Sequence, residues 1–192
     1  MRLFIATHFP EEVLLDLNER VARLKSRLPA ASWVRPESQH LTFAFLGEQP
    51  EELIEKIASP ITEAVGAIPQ FDARLRGCGF FPNPRRARVG WIGLQPEAGF
   101  ERTAHAVRDV VTSNGVTLDG GEFRPHLTLM RIRTAWPPAS IDLFTKSLRD
   151  YESAPFPVTA VTLFSSQLNP EGAIHTPLRT FELSRVRPGN ST

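Results

Sequence analysis

The sequence contains a single cysteine, Cys78, and no long apolar stretch. One cysteine excludes an internal disulfide and any metal site built from several cysteines, and it is typical of a protein from a reducing compartment. No run approaches the roughly 18 apolar residues that a membrane-spanning helix needs. The apolar run at residues 3–6 is too short for a signal peptide. We therefore expect a cytoplasmic protein with no membrane partner.

Lysine is also scarce, whereas arginine is concentrated in the middle of the chain. The net charge is only +1, but residues 1–72 carry a balance of −4 and residues 73–133 a balance of +5. All ten basic residues of 73–133 are arginines, and the planar guanidinium group suits bidentate contacts with phosphate. This stretch is either a surface that faces a polyanion or an ordinary solvated basic face. Charge alone does not choose between them.

Prolines and glycines divide the 192 residues into short elements. Strands are predicted at 3–7, 33–35, 40–46, 71–80, 87–94, 123–132, 156–166 and 174–184. Helices are predicted at about 10–28, from Pro50 to a break or restart at Pro60, around 100–111 and at 139–149. Strands connected mostly as hairpins, with helices between them, indicate an α+β fold of two similar lobes within one domain, residues 1–192.

One tetrapeptide pattern occurs in both halves of the chain. Residues 40–43 read His-Leu-Thr-Phe and residues 126–129 read His-Leu-Thr-Leu. The alternation of a strand places the histidine and the threonine on one face and the leucine on the other. If the two lobes face each other, two imidazoles and two hydroxyls converge. Such a set suits phosphoryl transfer, because one imidazole can accept a proton, the other can donate one, and the hydroxyls can hold the phosphate.

The remaining candidates for chemistry are weaker. Neither motif has further carboxylates or cysteines beside it that could complete a metal site, so we expect neither a metal nor another cofactor. Glycine-rich phosphate loops and dinucleotide fingerprints are absent from the sequence. Three other histidines lack the motif and are predicted to be surface or hydrogen-bonded structural residues: His8, His105 and His175. Cys78 is predicted to be a small packing residue.

These features together resemble the 2H phosphoesterases, and within them the RNA 2′,3′-cyclic phosphodiesterases, also called 2′-5′ RNA ligase-like proteins. The similarity extends beyond the two motifs to residues 2–6, 33–37, 44–47, 81–89 and 123–131, in the expected order. The resemblance implies a bilobal fold in which two pseudo-symmetric antiparallel sheets face a central cleft. It also implies helices on the outside and chemistry without a metal.

Matched by position, the resemblance makes His40 the proton donor to the leaving 3′ oxygen and His126 the proton acceptor that activates water. It assigns base stacking to Phe45 and phosphate binding to Thr42, Thr128 and Arg131. Strict strand alternation puts Phe45 and Arg131 on the face opposite their histidines, so a bulge, a twist or a strand end must redirect them. An unperturbed imidazole pKa near ~6.5 supplies both protonation states at neutral pH.

The sequence thus predicts a monomeric enzyme that opens 2′,3′-cyclic phosphate ends of RNA, such as tRNA fragments, to 2′-phosphomonoesters. Formation of 2′-5′ linkages between RNA ends is a possible side activity, because it uses the same groups in reverse. Two alternatives stay open. A non-catalytic RNA-end-binding protein is disfavoured because both histidines are intact. A 2H enzyme acting on a small cyclic nucleotide or an ADP-ribose derivative is disfavoured by the arginine-rich middle of the chain.

Overall fold

The computed structural model describes residues 1–118, 121–169 and 172–185. These residues contain nine strands and four α-helices. The strands are β1 Arg2–Thr7, β2 Ser32–Trp33, β3 Leu41–Glu48, β4 Phe71–Phe81, β5 Val89–Gln95, β6 His126–Arg131, β7 Phe156–Val158, β8 Ala160–Asn169 and β9 Gly172–Glu182. The helices are α1 Glu11–Lys25, α2 Glu52–Gly66, α3 Glu97–Ser113 and α4 Pro138–Leu148.

The strands form two antiparallel sheets, and each sheet carries one of the two motifs. The first sheet has the order β3-β1-β8-β9, and His40 directly precedes its edge strand β3. The second sheet has the order β2-β6-β5-β4-β7, and His126 is the first residue of β6. The predicted α+β fold with two antiparallel sheets is therefore confirmed. The lobes are not the two halves of the sequence, since the first sheet joins N-terminal to C-terminal strands.

The helices follow the predicted apolar spacing, with one correction at Pro60. Helix α2 continues through Pro60, so the predicted break is wrong. Proline removes one helical hydrogen bond, because it has no N–H. The fully buried row of Ile57, Ile61 and Val65 spans this position, and burial of that stripe against the core offsets the lost bond.

Three strand predictions also need correction. Residues 156–166 form two strands in different sheets, because the chain passes from the second sheet to the first at Thr159, whose carbonyl accepts a hydrogen bond from Leu183. The strand predicted at 123–132 begins only at His126, since Pro125 has no N–H to donate to the sheet. The strand predicted at 33–35 is confined to Ser32–Trp33, just before the 3-10 turn Pro36–Ser38.

Strand β1 is buried on both faces, and this places an apolar cluster away from the main core. Leu3 and Ile5 join the main core, whereas Phe4 and Ala6 point to the opposite face and pack with Phe164 of β8. The cluster of Phe4, Ala6 and Phe164 forms the floor beneath the first motif. No helix within the described residues is long and apolar enough to cross a membrane.

Candidate active site

A bulge in β3 redirects the chain just after the first motif. Thr42 pairs with Ala6 and Ala44 pairs with Ile5, so Phe43 is an extra residue in the register between β3 and β1. Phe43 and Ala44 are consecutive and both buried, which breaks the alternation. Phe45 therefore returns to the face of Thr42 and is 42% exposed.

Strand β6 has the same bulge at the equivalent position of the second motif. Thr128 pairs with Trp91 and Met130 pairs with Gly90, so Leu129 is the extra residue. Leu129 and Met130 are both buried, and Arg131 returns to the face of Thr128. The prediction that Phe45 and Arg131 must be redirected is confirmed. A β-bulge at the equivalent position of each strand redirects them.

The candidate site residues line two adjoining cavities. A cavity of about 490 Å³ is lined by both motif threonines together with His40, Phe45 and Arg131. His126 lines a smaller adjoining cavity of about 250 Å³, which shares Thr42 and Phe45 with the first. The cleft has the size of a pocket for a nucleotide-sized ligand.

His126 is oriented by a backbone hydrogen bond. Its Nδ1 lies 2.7 Å from the carbonyl oxygen of Arg124. Because a carbonyl only accepts, Nδ1 carries the proton and Nε2 keeps its lone pair. Burial lowers the pKa of His126, the hydrogen bond to the Arg124 carbonyl opposes that change, and the nearby charge of Arg131 adds to it. The free protein thus holds this imidazole in a neutral form with Nε2 able to accept a proton.

The environment of His40 differs from that of His126, and it lowers the pKa of His40 strongly. Its Nδ1 is buried and, within the described residues, has no partner at hydrogen-bond geometry. The Ser38 carbonyl stands two residues before it, as Arg124 does before His126, and favours its protonation only weakly. Burial, followed by the charges of His175 and His8, lowers the pKa of His40 to about 4. The expectation of ordinary pKa values is therefore wrong for both motif histidines, because both rings are removed from water.

No group of three or more histidine, cysteine, aspartate or glutamate side chains is placed to hold a metal ion in the residues that the structure describes. The polar side chains that line the larger cavity include imidazoles, hydroxyls and guanidinium groups. Two hydroxyls and an arginine can bind a phosphate, while two imidazoles can exchange protons with its oxygens. The arrangement suits acid–base chemistry at a phosphate group.

Comparison with known proteins agrees with this geometry. The family model of the 2′-5′ RNA ligase superfamily matches residues 13–170. The chain belongs to that superfamily.

Among individual members of the superfamily, the RNA 2′,3′-cyclic phosphodiesterase of Thermus thermophilus is 34% identical over 191 residues, with 95% of this chain and 90% of the relative covered. A crystal structure of a protein from Thermus thermophilus superimposes with a TM-score of 0.79 and 32% identity, covering 96% of this chain and 98% of the other. E. coli LigT complexed with 3′-AMP gives a TM-score of 0.72 and 26% identity, covering 95% of this chain and 97% of the other.

Two histidines near His40 in this superfamily member were not predicted to belong to the site: His175, which lines the cleft, and His8, which lines a neighbouring groove. The ring of His175 lies 5.0 Å from that of His40, and the ring of His8 lies 6.1 Å from it. His8 is exposed, in agreement with the prediction of a surface histidine, and His175 is half-buried. The sequence did not predict that the end of β1 and β9 bring both rings close to His40. Neither residue belongs to one of the two His-Leu-Thr motifs, and the strand order brings them to His40.

Proposed function

We propose that this protein hydrolyses terminal 2′,3′-cyclic phosphates of RNA to 2′-phosphomonoesters without a metal ion. The observation that supports the proposal is the repeated bulge, which puts Phe45 on the face of Thr42 and Arg131 on the face of Thr128. These four residues line one cavity with His40, and His126 lines the adjoining one. The names of the relatives, RNA 2′,3′-cyclic phosphodiesterases, support the same reaction.

In the proposed reaction His126 is the general base. A water molecule attacks the phosphorus atom and gives its proton to Nε2 of His126, which has its lone pair free because Nδ1 donates to the Arg124 carbonyl. Thr42, Thr128 and Arg131 bind the phosphate oxygens and stabilise the charge that develops on them. Phe45 stacks on the terminal base.

His40 is the general acid of the same step. As the bond between phosphorus and the 3′ oxygen breaks, His40 donates a proton to that oxygen, and the phosphate remains on the 2′ oxygen. Nδ1 of His40 is buried, so Nε2 is the nitrogen available to the ligand. The ring is neutral in the free protein at pH 7, and the negative charge of the bound phosphate favours its protonation. We therefore expect substrate binding to be coupled to proton uptake.

A side activity and three further predictions accompany the proposal. In the ligase side reaction the 5′ hydroxyl of one RNA takes the place of water and opens the cyclic phosphate of another, which forms a 2′-5′ linkage and uses the same base and acid. The name of the superfamily agrees with this side activity. A tRNA fragment as substrate, a monomeric state and a cytoplasmic location are predictions from the sequence.

The test is incubation with a short oligoribonucleotide that ends in a 2′,3′-cyclic phosphate, with and without EDTA. Phosphorus NMR against authentic 2′- and 3′-monoesters identifies the product, and a His40→Ala/His126→Ala variant controls for contaminating nucleases. We expect the 2′-monoester at equal rates in both samples. A 3′-monoester, or activity abolished by EDTA and restored by a divalent ion, would contradict the mechanism. Binding without turnover would instead favour an RNA-end-binding protein.

A small cyclic nucleotide or an ADP-ribose derivative is the second candidate substrate. The cleft volume admits a single nucleotide, and the related LigT binds 3′-AMP in its crystal structure. Comparing kcat/KM for 2′,3′-cyclic AMP and for an oligoribonucleotide with the same cyclic end separates the two. A clear preference for the oligonucleotide supports an RNA substrate, whereas equal values favour a small nucleotide.

A further inference from the structure

The two motif histidines are held in different ways. Nδ1 of His126 is 2.7 Å from the Arg124 carbonyl, and this bond fixes both the tautomer and the plane of the ring. Nδ1 of His40 is buried without such a bond in the part of the chain that the structure describes. The Ser38 carbonyl acts on the His40 ring only weakly, so packing has to contribute more to the orientation of this ring than to that of His126.

Two neighbouring rings are in position to do so. The ring of Phe4 lies 5.0 Å from that of His40 at an interplanar angle of 33°. The ring of His175 also lies 5.0 Å from it, at 79°, which is an edge-to-face contact. The ring centroids of Phe4 and His175 are 4.8 Å apart. The three rings thus pack as a closed triangle whose members come from β1, β9 and the residue before β3.

We propose that His175 is a positioning residue for His40: its edge-to-face contact fixes the plane of the His40 ring, and its protonated form opposes protonation of His40. This inference deepens the proposed function, because it rests on His40 acting at the phosphate. Edge-to-face packing restricts the tilt of both rings. A ring held in this way keeps Nε2 directed at the leaving oxygen, and small errors of placement reduce the rate strongly.

Among the charged groups near His40, the histidines His175 and His8 have the largest effect on its pKa. His8 follows β1 and lies in the same groove as His175, where Arg35 and Glu37 form an ion pair at 3.3 Å and so largely cancel. Arg2 of β1 lies in the cleft, with its guanidinium on the Phe45 ring. Burial, and then the charge of His8, lower the pKa of His175. The charge of His175 is, after burial, the largest cause of the lowered pKa of His40.

Two substitutions separate packing from charge. His175→Phe keeps a ring of similar shape and removes the charge, whereas His175→Ala removes both. His105→Phe, at an exposed histidine of α3, is the matched control. We propose to follow each imidazole by NMR titration of the full protein, and to measure kcat and KM on an oligoribonucleotide with a 2′,3′-cyclic phosphate end.

We expect His175→Phe to keep kcat within about threefold of wild type, since the ring contact remains. The titration midpoint of His40 should rise by at least about half a pH unit, because two unit charges about 5 Å apart repel measurably even in water. We expect His175→Ala to lower kcat about tenfold or more with little change in KM. His105→Phe should change neither quantity.

Three results would overturn the inference. They are wild-type kcat in His175→Ala, failure of phenylalanine to restore the kcat that alanine loses, and an unchanged His40 midpoint in His175→Phe. The titration requires no turnover. If the wild-type protein proves inactive on cyclic phosphates, the proposed function fails, while the His40 midpoint still decides whether His175 acts on that ring.

Discussion

The guanidinium carbon of Arg2 lies 4.8 Å from the centroid of the Phe45 ring, which is a cation–π contact. Both residues line the cleft that contains His40. Arg2 covers one face of the ring and so restrains it, while 42% of the Phe45 surface is exposed. Phe45 is therefore a partly exposed residue of the cleft that contacts Arg2, and not a core residue.

This contact leads to the first prediction. Phe45→Ala should raise KM for a cyclic-phosphate oligoribonucleotide about 5- to 150-fold, since stacking of one base is worth roughly 1–3 kcal/mol. Arg2→Ala should raise KM only a few fold, through loss of the restraint. Phe45→Trp is the control and should keep a low KM. A sharp fall in the Tm of Phe45→Ala with unchanged KM would show that Phe45 is a packing residue and does not bind the base.

The second prediction concerns the two motif histidines. His40→Ala and His126→Ala should each lower kcat by at least about 10²-fold, which is the usual cost of losing a general acid or base. The double variant should lose far less than the product of the two, because both groups serve one transition state. Steady-state kinetics with circular dichroism as a folding control checks this. Near wild-type turnover in either single variant removes that histidine from the mechanism.

The third prediction is the pH dependence of the rate. The profile of kcat/KM reports the free protein, in which the pKa of His40 is about 4 and that of His126 is also lowered. We expect a bell-shaped profile with its maximum below the ordinary histidine pKa of about 6.5, and with apparent pKa values that belong to the pair. The maximum of kcat should lie at higher pH, since bound phosphate favours protonation. Coincident profiles for kcat and kcat/KM would contradict proton uptake on binding.

The fourth prediction is the pH dependence of stability. Burial lowers the pKa of four histidines in the folded protein: His8, His40, His126 and His175. Between pH 6.5 and about 4 the unfolded chain therefore binds more protons than the folded one, so the free energy of unfolding falls as the pH falls. Tm measured from about pH 7.5 to about 4 should decrease, and His40→Asn should flatten the slope. An equal slope in that variant would show that His40 titrates normally.

The fifth prediction tests whether the arginine-rich middle of the chain faces RNA. Arg85 and Arg86 lie in the turn Pro84–Arg86 between β4 and β5, and Val89 just beyond it pairs with Arg131. Replacing both with glutamine should weaken binding of long RNA and reduce its salt dependence while sparing a cyclic mononucleotide.

Arg102→Gln/Arg149→Gln gives the same change of net charge at exposed sites on α3 and at the end of α4, and serves as the control. Arg88 is left intact because its guanidinium donates a hydrogen bond at 2.9 Å to the Arg133 carbonyl. If both double variants behave alike on long RNA, the turn is an ordinary solvated face.

The fold class, the repeated motif and the superfamily were all readable from the amino-acid sequence. These properties are local or repeated: apolar periodicity marks the helices and strands, and the two His-Leu-Thr segments mark the chemistry. The sequence also showed that a bulge, a twist or a strand end was needed, because strand alternation cannot place His40 and Phe45 on one face; the structure shows that it is a bulge. The roles of individual residues came from the family resemblance, because periodicity alone does not assign roles.

The surroundings of His40, in contrast, depend on the arrangement of the strands in space. Three residues from other strands or strand ends, Phe4, His8 and His175, meet around this ring because the strand order of the first sheet is β3-β1-β8-β9. Desolvation and neighbouring charge set a pKa, and both depend on which strands are adjacent rather than on local sequence. The passage of the chain between the two sheets at Thr159 and the continuation of α2 through Pro60 also depend on the tertiary structure. At both places packing against the core outweighs local propensity.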